Sequence, residues 1–238
     1  MEWPMISENK IKKRNSLIDI EVCLVIYQRP QRLAEILEQL KTQTIQNFRV
    51  NIWNNSKEKL DISGFPEDRI KVIDSKENIG SQARWRLAKQ TTGNPVIFFD
   101  DDEELEPDFV EYHYNQYLKF GSKCMLGWYT RTFNKESYWR SMRANYGQEV
   151  DYVGPGGMIM DREIFDKEPL SQNIPTPFKE TESLYLGYLA RKKYGMKLIK
   201  IEPKCRILVD GKDQYKSTDK EEIFRELRKK GWRLLKDE

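Results

Sequence analysis

Histidine occurs once in the 238 residues, as His113, cysteine only three times, and no apolar run approaches the length that crosses a bilayer. Each scarcity excludes something. Cys23, Cys124 and Cys205 are odd in number and far apart, with Cys23 inside an apolar strand pattern, so buried reduced thiols are expected in place of a disulfide or a sulfur-ligated metal. His113 falls inside a helical stretch and reads as a packed or surface residue, not a ligand. Charge of one sign is also lacking. The 41 basic and 38 acidic residues leave only +3, too balanced for a polynucleotide footprint, and no nucleic-acid partner is expected. Residues 1–13 are polar and charged, unlike an apolar signal segment, which with the reduced thiols predicts a cytoplasmic protein without a transmembrane span. There is no internal repeat. A glycine-rich phosphate loop is missing after the first strand, where Tyr27, Gln28, Arg29 and Pro30 stand.

What is present is a regular alternation of apolar patterns, with hydrophobic residues at 38%, enough to bury the core of one domain spanning 1–238. After a tail over 1–17, residues 18–26 read as a strand, and Pro30 opens a helix with Leu33, Ile36, Leu37 and Leu40 on one face. Strands over 48–53, 70–73 and 96–99 and helices over 81–91 and 107–119 follow. Strands alternating with helices predict an α/β fold with a mostly parallel sheet and right-handed crossovers. Residues 18–120 thus form a nucleotide-fold half. Over 121–202 the texture is more aromatic and polar, with a glycine turn at Gly154, Pro155, Gly156 and Gly157, a helix over 183–194 and a strand over 197–201, and this half is expected to shape the pocket of a second substrate. In the extension over 203–238, a basic helix at 220–235 carries Ile223, Phe224, Leu227, Trp232 and Leu235. It packs on its own domain or rests on a membrane surface as a peripheral contact.

The densest chemistry is Asp100, Asp101 and Asp102, directly after the apolar run Val96, Ile97, Phe98 and Phe99. That run places the acids at the carboxyl end of a buried strand, where open α/β sheets bind ligands. Carboxylates this close repel one another, and a hard divalent cation, Mg²⁺ or Mn²⁺, relieves the repulsion when shared with substrate phosphates. Two readings stand. One is a metal and diphosphate site; the other is a solvated acidic turn whose Glu103, Glu104 and Glu106 favour the dipole of the next helix. A calcium loop fails because Leu105 takes the position that needs glycine.

Taken together, these pieces resemble the GT-A fold glycosyltransferases, in particular the inverting family-two type, over roughly residues 20–201. Val22 to Tyr27 with Arg29, Pro30 and Leu33 is similar to the family's opening strand and turn. Asn78, Gly80, Ala83 and Arg84 match its N-x-G-x-x-A-R segment, and Phe99 to Asp102 with Pro107, Asp108 and Phe109 match its D-x-D strand end. Gly154 to Met160 with Arg162, Glu163 and Phe165 looks like its acceptor-side turn, strand and helix. Their order and spacing carry the resemblance further than any one motif.

The resemblance implies a single GT-A-type domain that transfers sugar from a nucleotide-diphosphate sugar, UDP favoured, to a hydroxyl of a glycan or other acceptor. It implies that Asp102 ligates Mn²⁺ or Mg²⁺ and that Asp100 contacts the ribose, or the metal through water. Asp101, the middle residue, is counted with the nucleotide contacts, although neighbours on an extended chain face opposite sides and its side chain is expected to point away. Tyr27, Arg29, Asn54, Asn55, Asn78 and Arg84 are expected to form the nucleotide pocket, with asparagines standing where the family commonly has an aspartate pair. For the catalytic base, Glu182 at the helix start is preferred and Glu180 is the runner-up; both also read as acids that satisfy helix amides. Asp210 or Asp213 is a further candidate metal contact. Trp128, Tyr129, Arg131, Tyr138 and Trp139 either stack on sugar rings or form an aromatic core. The competing readings are a sugar-phosphate nucleotidylyltransferase and a silent sugar-nucleotide-binding module.

Overall fold

The computed structural model describes residues 20–134, 137–167, 174, 175, 178, 181–212 and 219–237. In chain order the strands are β1 (Ile20–Ile26), β2 (Phe48–Asn54), β3 (Ile70–Asp74), β4 (Val96–Asp100), β5 (Glu103–Leu105), β6 (Cys124–Gly127), β7 (Thr130–Phe133), β8 (Ser141–Met142), β9 (Tyr152–Val153), β10 (Met158–Met160), β11 (Lys197–Lys200) and β12 (Cys205–Ile207). The helices are α1 (Leu33–Lys41), α2 (Ala83–Lys89), α3 (Phe109–Phe120), α4 (Glu163–Lys167), α5 (Glu182–Lys192) and α6 (Lys220–Lys229).

Seven strands make the central sheet in the order β11-β6-β10-β4-β1-β2-β3. Every pairing is parallel except the two made by β10, which lies antiparallel between β4 and β6. The chain steps outward from β1 to β2 to β3, then returns to place β4 on the other side of β1. That reversal opens a crevice at the carboxyl ends of β1 and β4, the position where such sheets bind ligands.

Alternation along β4 divides the core. Val96 and Phe98 face the layer of α2, α4 and α5, where Phe98 meets Phe165 edge-on at 5.7 Å, while Ile97 and Phe99 face α1 and α3, where Phe99 meets Phe109 at 6.0 Å. The strand is therefore buried on both faces, as its unbroken apolar run requires.

Several boundaries depart from the sequence reading. Glu103, Glu104 and Leu105, read as the approach to a helix, form β5 and pair antiparallel with β12, so that α3 begins at Phe109. The aromatic stretch after β6 resolves into a small sheet in the order β8-β7-β9. The last helix stops at Lys229, because Gly231 turns the backbone at φ +88° and sends Trp232 back into the core. There Trp232 and Phe224 pack on Phe133, at 5.9 and 4.6 Å between ring centroids. The apolar face of α6 is thus spent inside the molecule, with Ile223, Phe224 and Leu227 all buried. The amino-terminal tail lies outside the described residues.

Candidate active site

Asp100 is the last residue of β4 and continues the even-numbered series, so its side chain emerges on the α2 and α5 side. Arg84, in the first turn of α2, meets it there: Nε donates to Asp100 Oδ1 at 3.0 Å, and Nη2 contacts the same oxygen. The other arm, Nη1, donates to Glu182 Oε1 at 2.8 Å, and Ser81 Oγ donates to Glu182 Oε2. One guanidinium therefore ties the end of β4 to the first residue of α5. Burial disfavours its charge, but Asp100 and Glu182 outweigh that and raise the Arg84 pKa, keeping it cationic. Glu182 is 2% exposed and, with Arg84 and Pro155, lines a small cavity floored by Trp85, Phe98, Met158 and Phe165.

Asp101 turns the other way. Its Oδ2 accepts the Tyr27 amide at 3.1 Å and its Oδ1 accepts Arg29 Nη1 at 3.0 Å, so it fastens the β4 end to the turn after β1. Arg29 also forks onto Asp210, at 2.8 and 2.7 Å, and passes within 3.8 Å of Asp102. The backbone carbonyl of Asp102 accepts the Leu208 amide at 2.7 Å, which seals the segment after β12 against the acids. Behind them lies Glu103, 1% exposed, which accepts the Asp100 amide at 3.0 Å and the Cys205 thiol at 3.3 Å.

The electrostatics are lopsided. Burial first, and then the neighbouring Asp100, push Asp102 up to about 6, while the same causes push Glu103 up to about 8. Asp101 is raised chiefly by burial against the pull of Tyr27 and Arg29. Arg29, 3.8 Å away and engaged with Asp101 and Asp210, offsets those causes at Asp102 only in part. A hard divalent cation fits this donor set of carboxylate oxygens. Among the described residues no group of three or more His, Cys, Asp or Glu side chains converges on one point, so an ion here would be held by one or two carboxylates, with phosphates and water completing its shell.

The remaining candidates separate by exposure. Tyr27 is half-buried at the crevice and Asn78 is exposed, its Oδ1 capping the Gly80 amide at 2.8 Å. Asn54 and Asn55 are buried and committed to the chain itself: Asn54 binds Asp74, Glu58 and Ser56, and Asn55 binds Trp53, Ile79 and Gly80. A direct contact from either to a base would require those bonds to break. Glu180 and Asp213 lie outside the described residues, and Asp210 is placed on Arg29. Tyr138 is core, whereas Tyr129 and Trp139 are exposed. His113 is fully buried, its nitrogens 2.7 Å from the Phe109 carbonyl and 3.0 Å from that of Gly157, which ties α3 to the glycine turn. The sequence marks neither Ser81 nor Glu103 as a site residue: Ser81 lies within the N-x-G segment, and Glu103, the acid after three acids, reads there only as a helix-dipole acid.

Residues 21–178 match the model of glycosyl transferase family 2. The chain belongs to that family. Among curated relatives of this family 2 protein is an uncharacterized glycosyltransferase, YwdF of Bacillus subtilis (strain 168), 30% identical over 95 residues that cover 39% of this chain and 35% of YwdF. Among solved structures, TarS of S. aureus superposes with a TM-score of 0.60 at 18% identity over 83% of this chain and 38% of that chain. TarS 1-349 in complex with UDP gives 0.56 at 16% identity, over 80% of this chain and 60% of that one. The family 2 chain thus shares the TarS fold and spans little more than a third of the length of the first relatives it matches.

Proposed function

We propose that this chain carries the catalytic site of a metal-dependent inverting glycosyltransferase, moving a sugar from a nucleoside diphosphate donor, UDP favoured, to a hydroxyl of a glycan or other acceptor. The observation that carries the reading is the bridge from Asp100 through Arg84 to Glu182, which sets the carboxylate at the end of β4 beside a buried carboxylate at the start of α5. Asp102 is the residue that would hold Mn²⁺ or Mg²⁺, with Asp100 beside it. A cation bound there supplies positive charge to the departing diphosphate without moving a proton.

The chain's own residues do the rest. Glu182 takes the proton of the acceptor hydroxyl as its oxygen attacks the anomeric carbon from the face opposite the diphosphate; the C–O bond to the acceptor forms as the bond to the donor phosphate breaks. Arg84 and Ser81 fix the orientation of that carboxylate, and Arg84 holds Asp100 at the crevice. Tyr27 and Asn78 border the nucleoside, Arg29 and Asp101 hold the turn that supports it, and Asn54 and Asn55 shape the wall through their own bonds. The complex of TarS with UDP supports a uridine donor for a chain of this fold.

Product analysis tests the reading. Incubation with a panel of nucleotide sugars and acceptors is expected to release nucleoside diphosphate. Glu182→Gln is expected to lower turnover by about 10²-fold or more while donor affinity persists. Formation of pyrophosphate, or a Glu182→Gln variant as fast as the parent, would overturn it.

A further inference from the structure

Arg131 on β7 stands out among the cations near the crevice. Among the described residues no carboxylate lies within ion-pair distance of it, and its hydrogen bonds go to neutral oxygens at the long limit: the Tyr138 carbonyl and Ser141 Oγ at 3.4 Å and the Tyr129 hydroxyl at 3.3 Å. Its buried Nε has no partner. Three rings frame the guanidinium, with centroids at 4.3 Å for Tyr138, 5.7 Å for Trp139 and 6.0 Å for Tyr129. Tyr138 is buried, but Trp139 is 59% exposed and Tyr129 is 38% exposed.

This cluster borders the catalytic cavity. Tyr129 accepts the amide of Gly154 at 2.8 Å and packs on that glycine so closely that a Cβ there would lie 2.6 Å from its ring. The next residue, Pro155, lines the cavity with Arg84 and Glu182. On the inner side Tyr152 bonds Ser183, the neighbour of Glu182, at 2.8 Å, and its ring meets that of Tyr138 at 6.5 Å. Lys220 adds a second cation above Tyr138, 5.8 Å from the ring. Burial and then Arg131 lower the pKa of Lys220, while Glu182 raises it. Exposed aromatic faces suit the apolar faces of sugar rings, and a planar guanidinium with free donor capacity suits a carboxylate or phosphate.

We propose that Arg131, framed by Tyr129, Tyr138 and Trp139, binds an anionic group, a carboxylate or a phosphate ester, carried by the acceptor sugar, with Trp139 stacking on the ring. The inference rests on the glycosyltransferase reading and specifies its acceptor. Titration calorimetry of the UDP-saturated protein with methyl glucoside, glucuronic acid and glucose 6-phosphate tests it. At least one charged probe is expected to bind about tenfold or more tightly than the neutral one, and which of the two does so distinguishes carboxylate from phosphate. Arg131→Gln is expected to abolish the preference, and Arg131→Lys to retain part of it, while stabilisation by UDP persists in both. Equal affinity for all three probes, or a preference that survives Arg131→Gln, would overturn the proposal. Should Arg131→Gln fail to fold, Trp139→Ala, at an exposed position, is expected to weaken every sugar probe, and unchanged affinities would count against the site. Absence of UDP binding in the parent protein would instead count against the donor assignment, since the probes can also be titrated without UDP.

Discussion

At the residue scale, Arg84 joins the end of β4 to the start of α5 by pairing with two carboxylates at once, Asp100 and Glu182. Removing one partner of a buried pair leaves the other charge uncompensated, which costs about 3–5 kcal/mol. Arg84→Met is therefore expected to lose about that much stability in urea unfolding. A loss under about 1 kcal/mol would contradict the bridge. Asp102 and Glu103 give a second prediction at this scale. Both have pKa values raised in the folded state, to about 6 and about 8 from the ordinary carboxyl values of 3.8 and 4.5. The native protein then holds more protons than the unfolded chain between those limits, so stability falls as pH rises through each window. In metal-free buffer Asp102→Asn is expected to flatten the slope between pH 4 and 6, and Glu103→Gln the slope between pH 5 and 8. Urea midpoints across pH check both; a slope identical to the parent's in either variant contradicts the assignment.

At the scale of elements, short pieces lock longer ones. β5 and β12, three residues each, close the chain behind the acids, and Gly156 packs so tightly there that a Cβ would lie 2.5 Å from the Glu103 carboxylate. Gly156→Ala is expected to shift Glu103 and with it the Asp100 amide, weakening donor binding more than global stability; donor affinity equal to the parent's would exclude that coupling. Helix α6 is fastened at its start by Asp219, whose side chain accepts the amides of Glu221 and Glu222 at 3.1 and 3.0 Å. Asp219→Ala should cost about 1 kcal/mol, read by thermal or urea unfolding. At its far end Asp151 accepts the Phe133 amide at 2.8 Å and the Leu235 amide at 2.6 Å, so the carboxyl-terminal turn is bound to β7 by a buried acid.

At the scale of the whole molecule, the sheet was legible because buried parallel strands read as unbroken apolar runs, as in Val96 to Phe99, and the acids after that run marked the carboxyl end of β4. Arg84 was legible as part of a spaced segment. What joins these pieces was not. Ser81 and Glu182 are separated by 101 positions and Arg29 and Asp210 by 181, and no local pattern encodes such a contact. The acidic run Glu103 and Glu104 mimicked a helix start, since acids favour a helix amino terminus, and only pairing with the remote Cys205–Ile207 made it a strand. The small sheet of β7, β8 and β9 consists of strands too short for alternation to declare itself.

The central claim is that Asp102 holds a divalent cation against a nucleoside diphosphate. Calorimetric titration with UDP, in Mn²⁺ and in EDTA, on the parent and on Asp102→Asn, tests it most directly. The account predicts that chelation weakens parental UDP binding by about tenfold or more, and that Asp102→Asn binds UDP in Mn²⁺ no better than the parent does in EDTA. UDP affinity indifferent to both the metal and the substitution would contradict it.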